Sequence, residues 1–115
     1  MAPSDPTPGH GEGAILYAVF PSIKPGKALT STVIDQHAAH LAELDREGRL
    51  VLAGPLLTRF SGLIVLRVSS LAEAKAIAEA DPMIRGGFQS YELAKWMMAN
   101  KQNHYQPTVQ LAGKS

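Results

Sequence analysis

The fold is decided by residues 50–68, which read LVLAGPLLTRFSGLIVLRV. Two apolar runs, 50–57 and 63–68, flank a five-residue connection that contains a glycine, and this pattern predicts a β-hairpin. Pro55 has no backbone N–H, so the first run must lie at a sheet edge or bulge at this point. Gly54 is either a bend required by sheet curvature or a point where a ligand approaches the backbone closely.

A helix is predicted on each side of the hairpin. Apolar residues recur at helical spacing over 30–47, and Gly48 stands where a C-terminal cap belongs. After the hairpin, Ser70 and Glu73 match a capping box that starts a second helix. Pro82 stops that helix, because proline restricts the residue before it to extended backbone.

Two more apolar runs, 14–21 and 88–98, predict the outer strands. The order β-α-β-β-α-β is that of the split βαβ, or ferredoxin-like, α+β fold: a four-stranded antiparallel sheet with two helices on one face. The other sheet face needs a cover, and the simplest cover is a second copy of the chain. We therefore expect a homodimer or a higher homo-oligomer.

Composition divides the chain into three parts. Residues 1–13, rich in proline and glycine and without an apolar period, are predicted to form a flexible leader. Residues 14–98 form the folded domain. Residues 99–115 form a C-terminal tail, in which 104–109 could add a short strand to a partner subunit.

Charge and residue content exclude several classes of protein. The 115 residues carry a formal charge of +1 without a long basic block, which argues against a nucleic-acid partner. No apolar run reaches the roughly 18–20 residues that span a bilayer, and no signal peptide is recognisable, so we expect a cytoplasmic protein without a membrane partner. The absence of cysteine leaves histidines, carboxylates, hydroxyls and amides to carry any chemistry.

The two histidines of the first helix are the best candidates for proton transfer. His37 and His40 are three residues apart and share a helix face. His37 lies at the centre of the apolar stripe, which favours a core histidine bonded to a backbone carbonyl. His40 lies on the flank, where an imidazole at a pocket rim can exchange protons near neutral pH. The spacing lacks the i,i+4 pattern and glutamate of helical zinc sites, so we expect no metal.

Asp81 has two interpretations. It is either a residue that ends the second helix, as Asp-Pro often does in turns, or a carboxylate that reaches a histidine of the first helix. In the second case it would fix the tautomer of the ring and raise its basicity. Tyr91 is either part of the core or part of a pocket that accepts aromatic molecules.

Four motifs resemble the YCII-related (YciI-like) family from strand one to strand four: HLAEL at 40–44, GRL at 48–50, AGP at 53–55 and Asp-Pro at 81–82. The resemblance implies a dimeric α+β barrel similar to muconolactone isomerase. It also implies a histidine and aspartate active-site pair, here His40 and Asp81. Members of this family are associated with dehydrochlorination of chlorinated hydroxyhydroquinones in aromatic breakdown.

Together these patterns predict a lyase or isomerase that needs no cofactor and acts on a small phenolic or quinonoid molecule. His40 would be the acid/base and Asp81 its orienting partner, and the substrate pocket would include four further residues: His37, Gly54, Pro55 and Tyr91. Two alternatives stay open, because a fold does not fix a function. One is a non-catalytic ligand-binding or accessory module, and the other is a cofactor-free oxygenase.

Overall fold

The structure is a computed structural model that describes residues 14–59 and 61–107. The elements, in chain order, are β1 (Ile15–Ile23), α1 (Ser31–Arg46), β2 (Leu50–Leu56), β3 (Ser61–Leu66), α2 (Leu71–Ala80), α3 (Pro82–Arg85) and β4 (Gln89–Met97). The strands form one four-stranded sheet in the order β2-β3-β1-β4, on which the helices pack. The predicted ferredoxin-like α+β fold is confirmed, with one addition, the short helix α3.

The chain divides into two compact units. The larger unit, Tyr17–Lys95, contains all three α-helices and the central hairpin. The described part of the smaller unit is 14–16 and 96–107, in which Lys101–Asn103 forms a 3-10 helix. Within 104–109 the chain turns at positions 104–105. The strand that these residues could add to a partner subunit stays a prediction. The predicted leader and the rest of the tail lie outside the described residues.

The central hairpin satisfies the constraint that Pro55 imposes. β2 pairs only with β3 and is therefore an edge strand of the sheet, where the missing N–H of Pro55 does not break a ladder. The irregularity of β2 lies nearer its start, as a register shift between Leu50 and Leu52. Across the hairpin, a Cβ at Gly62 would lie 3.1 Å from the carbonyl oxygen of Gly54, so the glycine permits close pairing.

The core lies between the helices and the sheet. Helix α1 begins where the Thr30 hydroxyl accepts a hydrogen bond from the backbone N–H of Val33, and Gly48 follows it with φ +76°. Both layers contribute buried apolar side chains, among them Val19, Leu66, Ala74, Ala78, Leu44 and Val33. No helix among residues 14–59 and 61–107 is long and apolar enough to cross a membrane.

Ser70 caps helix α2 as the sequence predicts, but the Glu73 carboxylate bonds to a different residue from the one that a capping box requires. The Ser70 hydroxyl accepts from the backbone N–H of Glu73 at 3.0 Å. The Glu73 carboxylate accepts from the N–H and hydroxyl of Ser69, one residue earlier than a capping box requires. At its other end α2 stops at Asp81, and α3 begins at once with Pro82.

Candidate active site

Asp81 is fixed at the junction of α2 and α3. Asp81 is 1% exposed. Its Oδ1 accepts a hydrogen bond from the backbone N–H of Met83 at 2.9 Å, so Asp81 caps α3. Pro82 at the first helical position needs no hydrogen bond, and the backbone N–H of Asp81 itself donates to the Ala78 carbonyl. Hydrogen bonds to neighbouring backbone groups therefore fix the position of this carboxylate without help from another side chain.

His37 of α1 is the histidine that meets this carboxylate. Its Nδ1 lies 2.8 Å from Oδ2 and 3.0 Å from Oδ1 of Asp81. An ionised carboxylate only accepts hydrogen bonds, so Nδ1 must carry the proton, and in the neutral ring Nε2 is left as an acceptor. In the part of the chain that the structure describes, Nε2 has no hydrogen-bond partner. The ring is thus held at one nitrogen and open at the other.

His40 has a different environment. Its Nε2 lies 3.2 Å from the backbone carbonyl oxygen of Ile77 in α2. His40 and Asp81 both border a small cavity of about 10 Å³, but they make no hydrogen bond to each other. The carboxylate contact expected at His40 is therefore made by His37, and the carbonyl contact expected at His37 is made by His40.

A larger cavity, of about 490 Å³, lies beside His37. This volume is in the range of small-molecule sites, roughly 300–1,000 Å³. The wall is formed by α1, the sheet, α3 and the β2–β3 connection, and is mainly apolar, with Ile34, Leu41, Pro21, Ile23, Leu63 and Met83. We call it the His37 cavity. Of the predicted pocket residues, His37, Gly54 and Pro55 line it, whereas Tyr91 does not. The predicted catalytic residues His40 and Asp81 do not line it either.

Three polar residues of this wall were not singled out from the sequence: Arg59, Ser61 and Gln89. Arg59, in the β2–β3 connection, has an exposed side chain that makes no ion pair within residues 14–59 and 61–107. Gln89, the first residue of β4, has a buried side-chain oxygen without a hydrogen-bond partner. Glycines mark loops near these positions: Gly86 and Gly87 precede Gln89, and Gly62 follows Arg59. No sequence pattern marks these polar side chains as part of a pocket.

Tyr91 is held by a contact of its own. Its hydroxyl donates to the Glu79 carboxylate of α2 at 2.7 Å. Burial, and then this hydrogen bond, raise the pKa of Tyr91 above its ordinary value. The structure thus brings Tyr91 to α2 and away from the wall of the His37 cavity.

The described residues contain no group of three or more histidine, aspartate and glutamate side chains placed to hold a metal ion. Both carboxylate oxygens of Asp81 accept hydrogen bonds, from His37 and from the Met83 N–H.

Comparisons with known proteins agree with the fold and the motifs. A solved structure of 5-chloro-2-hydroxyhydroquinone dehydrochlorinase from Burkholderia phenoliruptrix AC1100, in complex with 2,5-dihydroxybenzoquinone, superimposes with a TM-score of 0.57 at 22% identity. The match covers 76% of this chain and 98% of that one. This likeness shows the fold.

Sequence comparison gives the family. The uncharacterized protein YjpA of Bacillus subtilis (strain 168) is 32% identical over 62 residues, which cover 54% of this chain and 73% of YjpA. The YCII-related domain matches residues 15–97, from the first strand to the last. The resemblance carried by the four sequence motifs is confirmed, and the chain belongs to the YCII-related family.

Proposed function

We propose that this protein is an enzyme of lyase or isomerase type that transfers a proton on a small phenolic or quinonoid molecule, with His37 as the acid/base and Asp81 as its orienting partner. The observation that carries the proposal is the 2.8 Å contact between His37 Nδ1 and the buried Asp81 carboxylate. The other ring nitrogen is unpaired among the described residues, and His37 lines the large cavity.

The pair has the chemistry that general acid/base catalysis needs. Asp81 fixes the tautomer with Nε2 as the basic atom, and its charge stabilises the imidazolium that forms when Nε2 takes a proton. Because Asp81 is held by the backbone of α3, this orientation costs no rearrangement during the reaction. A positioned acid/base of this kind typically contributes about 10²- to 10⁴-fold to the rate.

The cavity supports a ring-shaped substrate. Its wall is mainly apolar, and its size suits a single ring with several substituents. The neighbouring dehydrochlorinase binds 2,5-dihydroxybenzoquinone, a molecule of this type. Elimination of HX from a halogenated hydroxylated ring needs no cofactor. In the keto form of the ring, the proton of one hydroxyl group has moved to the carbon that bears the halogen. Nε2 then takes the proton of a second hydroxyl group, its O–H electrons form C=O, the adjacent π bond shifts toward the C–X carbon, and X⁻ leaves with the electrons of the carbon–halogen bond.

The homodimer and the cytoplasmic location belong to the same proposal. Leu52, Val65 and Ala18 lie in register across three strands, and Phe20 follows on the same face of β1. Leu52 and Phe20 are 54% and 39% exposed, whereas Val65 and Ala18 are buried. The two exposed apolar side chains favour a partner on that sheet face. Sedimentation or light scattering of the purified chain would test this part, and a monomer at micromolar concentration would contradict it.

The test of the acid/base assignment compares two histidines on one helix. We expect His37→Gln to lower the release of chloride from a chlorinated hydroxyhydroquinone by at least about 100-fold. His40→Gln is the matched control, and it should keep most of the turnover if thermal unfolding shows that it folds. Loss in His40→Gln with full activity in His37→Gln would restore the assignment that the family resemblance implies.

The same assay separates the other classes of function. A wild-type protein that binds hydroxylated rings but turns none over would be a ligand-binding module, and the acid/base proposal would be wrong. Oxygen consumption with the same compounds would indicate an oxygenase instead of an elimination.

A further inference from the structure

The side-chain amide of Gln89 is a polar group of the His37 cavity that the proposed chemistry does not use. Gln89 opens β4 and lines the cavity wall. Its Oε1 is buried, and it is the side-chain atom that lacks a hydrogen-bond partner among the buried polar atoms of residues 14–59 and 61–107. Gln89 therefore combines a place in the cavity wall with a buried acceptor that has no partner.

An unpaired buried acceptor is costly. Most buried side-chain polar atoms in proteins are hydrogen-bonded, and leaving one unpaired costs about 1–3 kcal/mol. The last side-chain torsion of glutamine has two broad wells, so rotation exchanges Oε1 with the NH₂ group. A small movement of this side chain toward the cavity would expose its amide to a ligand, and a hydrogen bond to that ligand would remove the cost.

We propose that Gln89 is a specificity-determining residue, which hydrogen-bonds a hydroxyl group of the bound ring and so selects hydroxylated rings over apolar rings of the same shape. The inference deepens the proposed function and rests on it in one respect, since it takes the His37 cavity as the ligand site.

The surroundings of Gln89 favour a neutral hydroxyl as its partner. An uncharged amide recognises a hydrogen-bonding group and not a net charge, whereas Arg59 in the same wall supplies a positive charge. A site that hydrogen-bonds a hydroxyl rejects the analogue without it, because the buried amide is then left unpaired. His37 and Gln89 come from α1 and β4, so they meet the ligand from different elements of the fold.

The test uses three rings of nearly equal shape: hydroquinone, 4-methylphenol and 1,4-dimethylbenzene. Dissociation constants are measured by NMR titration of the full chain, for the wild type and for Gln89→Met. We expect the preference for hydroquinone over 1,4-dimethylbenzene to fall by about 5- to 10-fold in the variant, as loss of one net hydrogen bond implies. The change should come partly from tighter binding of 1,4-dimethylbenzene, and 4-methylphenol should lie between the two.

Two further variants control the measurement. Gln36→Met removes an exposed amide of α1 that does not line the His37 cavity, so it should keep the wild-type preference. Gln89→Leu replaces Gln89→Met if thermal unfolding shows that the first variant is not folded. In the wild type, the Gln89 side-chain amide signals should move with hydroquinone and stay in place with 1,4-dimethylbenzene.

The inference is overturned if the wild type does not bind hydroquinone, or if the Gln89 variants keep the wild-type preference. Its failure is distinguishable from failure of the proposed function. If the preference is independent of Gln89 but His37→Gln still abolishes turnover, only the specificity role is wrong. If the Gln89 variants lose the preference but His37→Gln retains turnover, only the acid/base role is wrong.

Discussion

The two ends of helix α2 each hold a carboxylate in a network of hydrogen bonds, and the two networks differ in what they leave open. At the N-terminal end, Glu73 accepts from Ser69 and forms an ion pair with Arg49 at 3.1 Å. At the C-terminal end, Asp81 accepts from Met83 and His37. The Glu73 side chain is 33% exposed, whereas the Asp81 side chain is 2% exposed.

The difference separates a structural contact from a candidate catalytic one. The groups around Glu73 bond to each other, since Arg49 also pairs with Glu47, and none of them borders the His37 cavity. Asp81 instead holds a ring whose second nitrogen is unpaired in the described part of the chain and which lines a cavity. A hydrogen-bonded carboxylate is therefore a functional candidate only when its partner still has a reactive atom within reach of a ligand.

The largest expected effect is on stability, and it should differ between the two ends. Asp81→Ala removes the cap of α3 and leaves the Met83 N–H and the His37 Nδ1–H unpaired, which should cost about 2–4 kcal/mol in the free energy of unfolding. Glu73→Ala should lower the free energy of unfolding by clearly less, because water can replace the hydrogen bonds of this partly exposed carboxylate. Urea denaturation of both variants measures the difference. Equal losses of unfolding free energy would contradict the explanation by burial.

The next effect is on catalysis and uses a substitution that keeps the shape. In Asp81→Asn the side-chain oxygen can still accept from Met83, while the NH₂ group faces Nδ1 of His37. The proton of the neutral ring should then move to Nε2, and turnover should fall by about 100-fold or more. Side-chain ¹⁵N shifts report the tautomer. An unchanged His37 tautomer with full activity would remove the orienting role of Asp81, and His40 serves as the internal control.

A smaller effect is expected for the charge in the cavity wall. Arg59→Met should weaken binding of 2,5-dihydroxybenzoquinone, an acidic compound that is anionic at neutral pH, by about fivefold, the scale of an exposed ion pair. The loss should shrink as salt is added. Arg67→Met, an exposed arginine outside the cavity wall, is the control. Equal affinities of the two variants would show that Arg59 does not contact the ligand.

The smallest effect is the pH dependence of the Glu73 network. Hydrogen bonds from Ser69, and then the Arg49 contact, lower the pKa of Glu73 below its ordinary value of 4.5. A carboxylate with a lowered pKa stabilises the fold above that ordinary value and loses this contribution as the pH falls through the folded-state pKa. The advantage of wild type over Glu73→Gln should therefore be present at pH 7 and decrease in acid. Denaturation across this range measures it, and a constant difference would contradict the assignment.

The sequence by itself determined the order of elements and several of their ends. The hairpin, the α2 cap at Ser70 and the edge position that Pro55 requires follow from interactions within a few residues, so local patterns suffice to predict them. Asp81 was predicted either to end a helix or to reach a histidine of α1. It does both, because the same Asp-Pro step ends α2 and starts α3.

Only the tertiary structure decided which histidine meets Asp81 and which polar side chains share the cavity. His37 and His40 lie about 60° apart around α1, at about 100° per residue, and the rotation of α1 against α2 and α3 selects between them. That rotation is set by packing of the whole helix on the sheet. Gln89 and Arg59 reach the wall beside His37 because the folded sheet brings together residues that are distant in the chain, and no short pattern marks which of their side chains meet at one cavity.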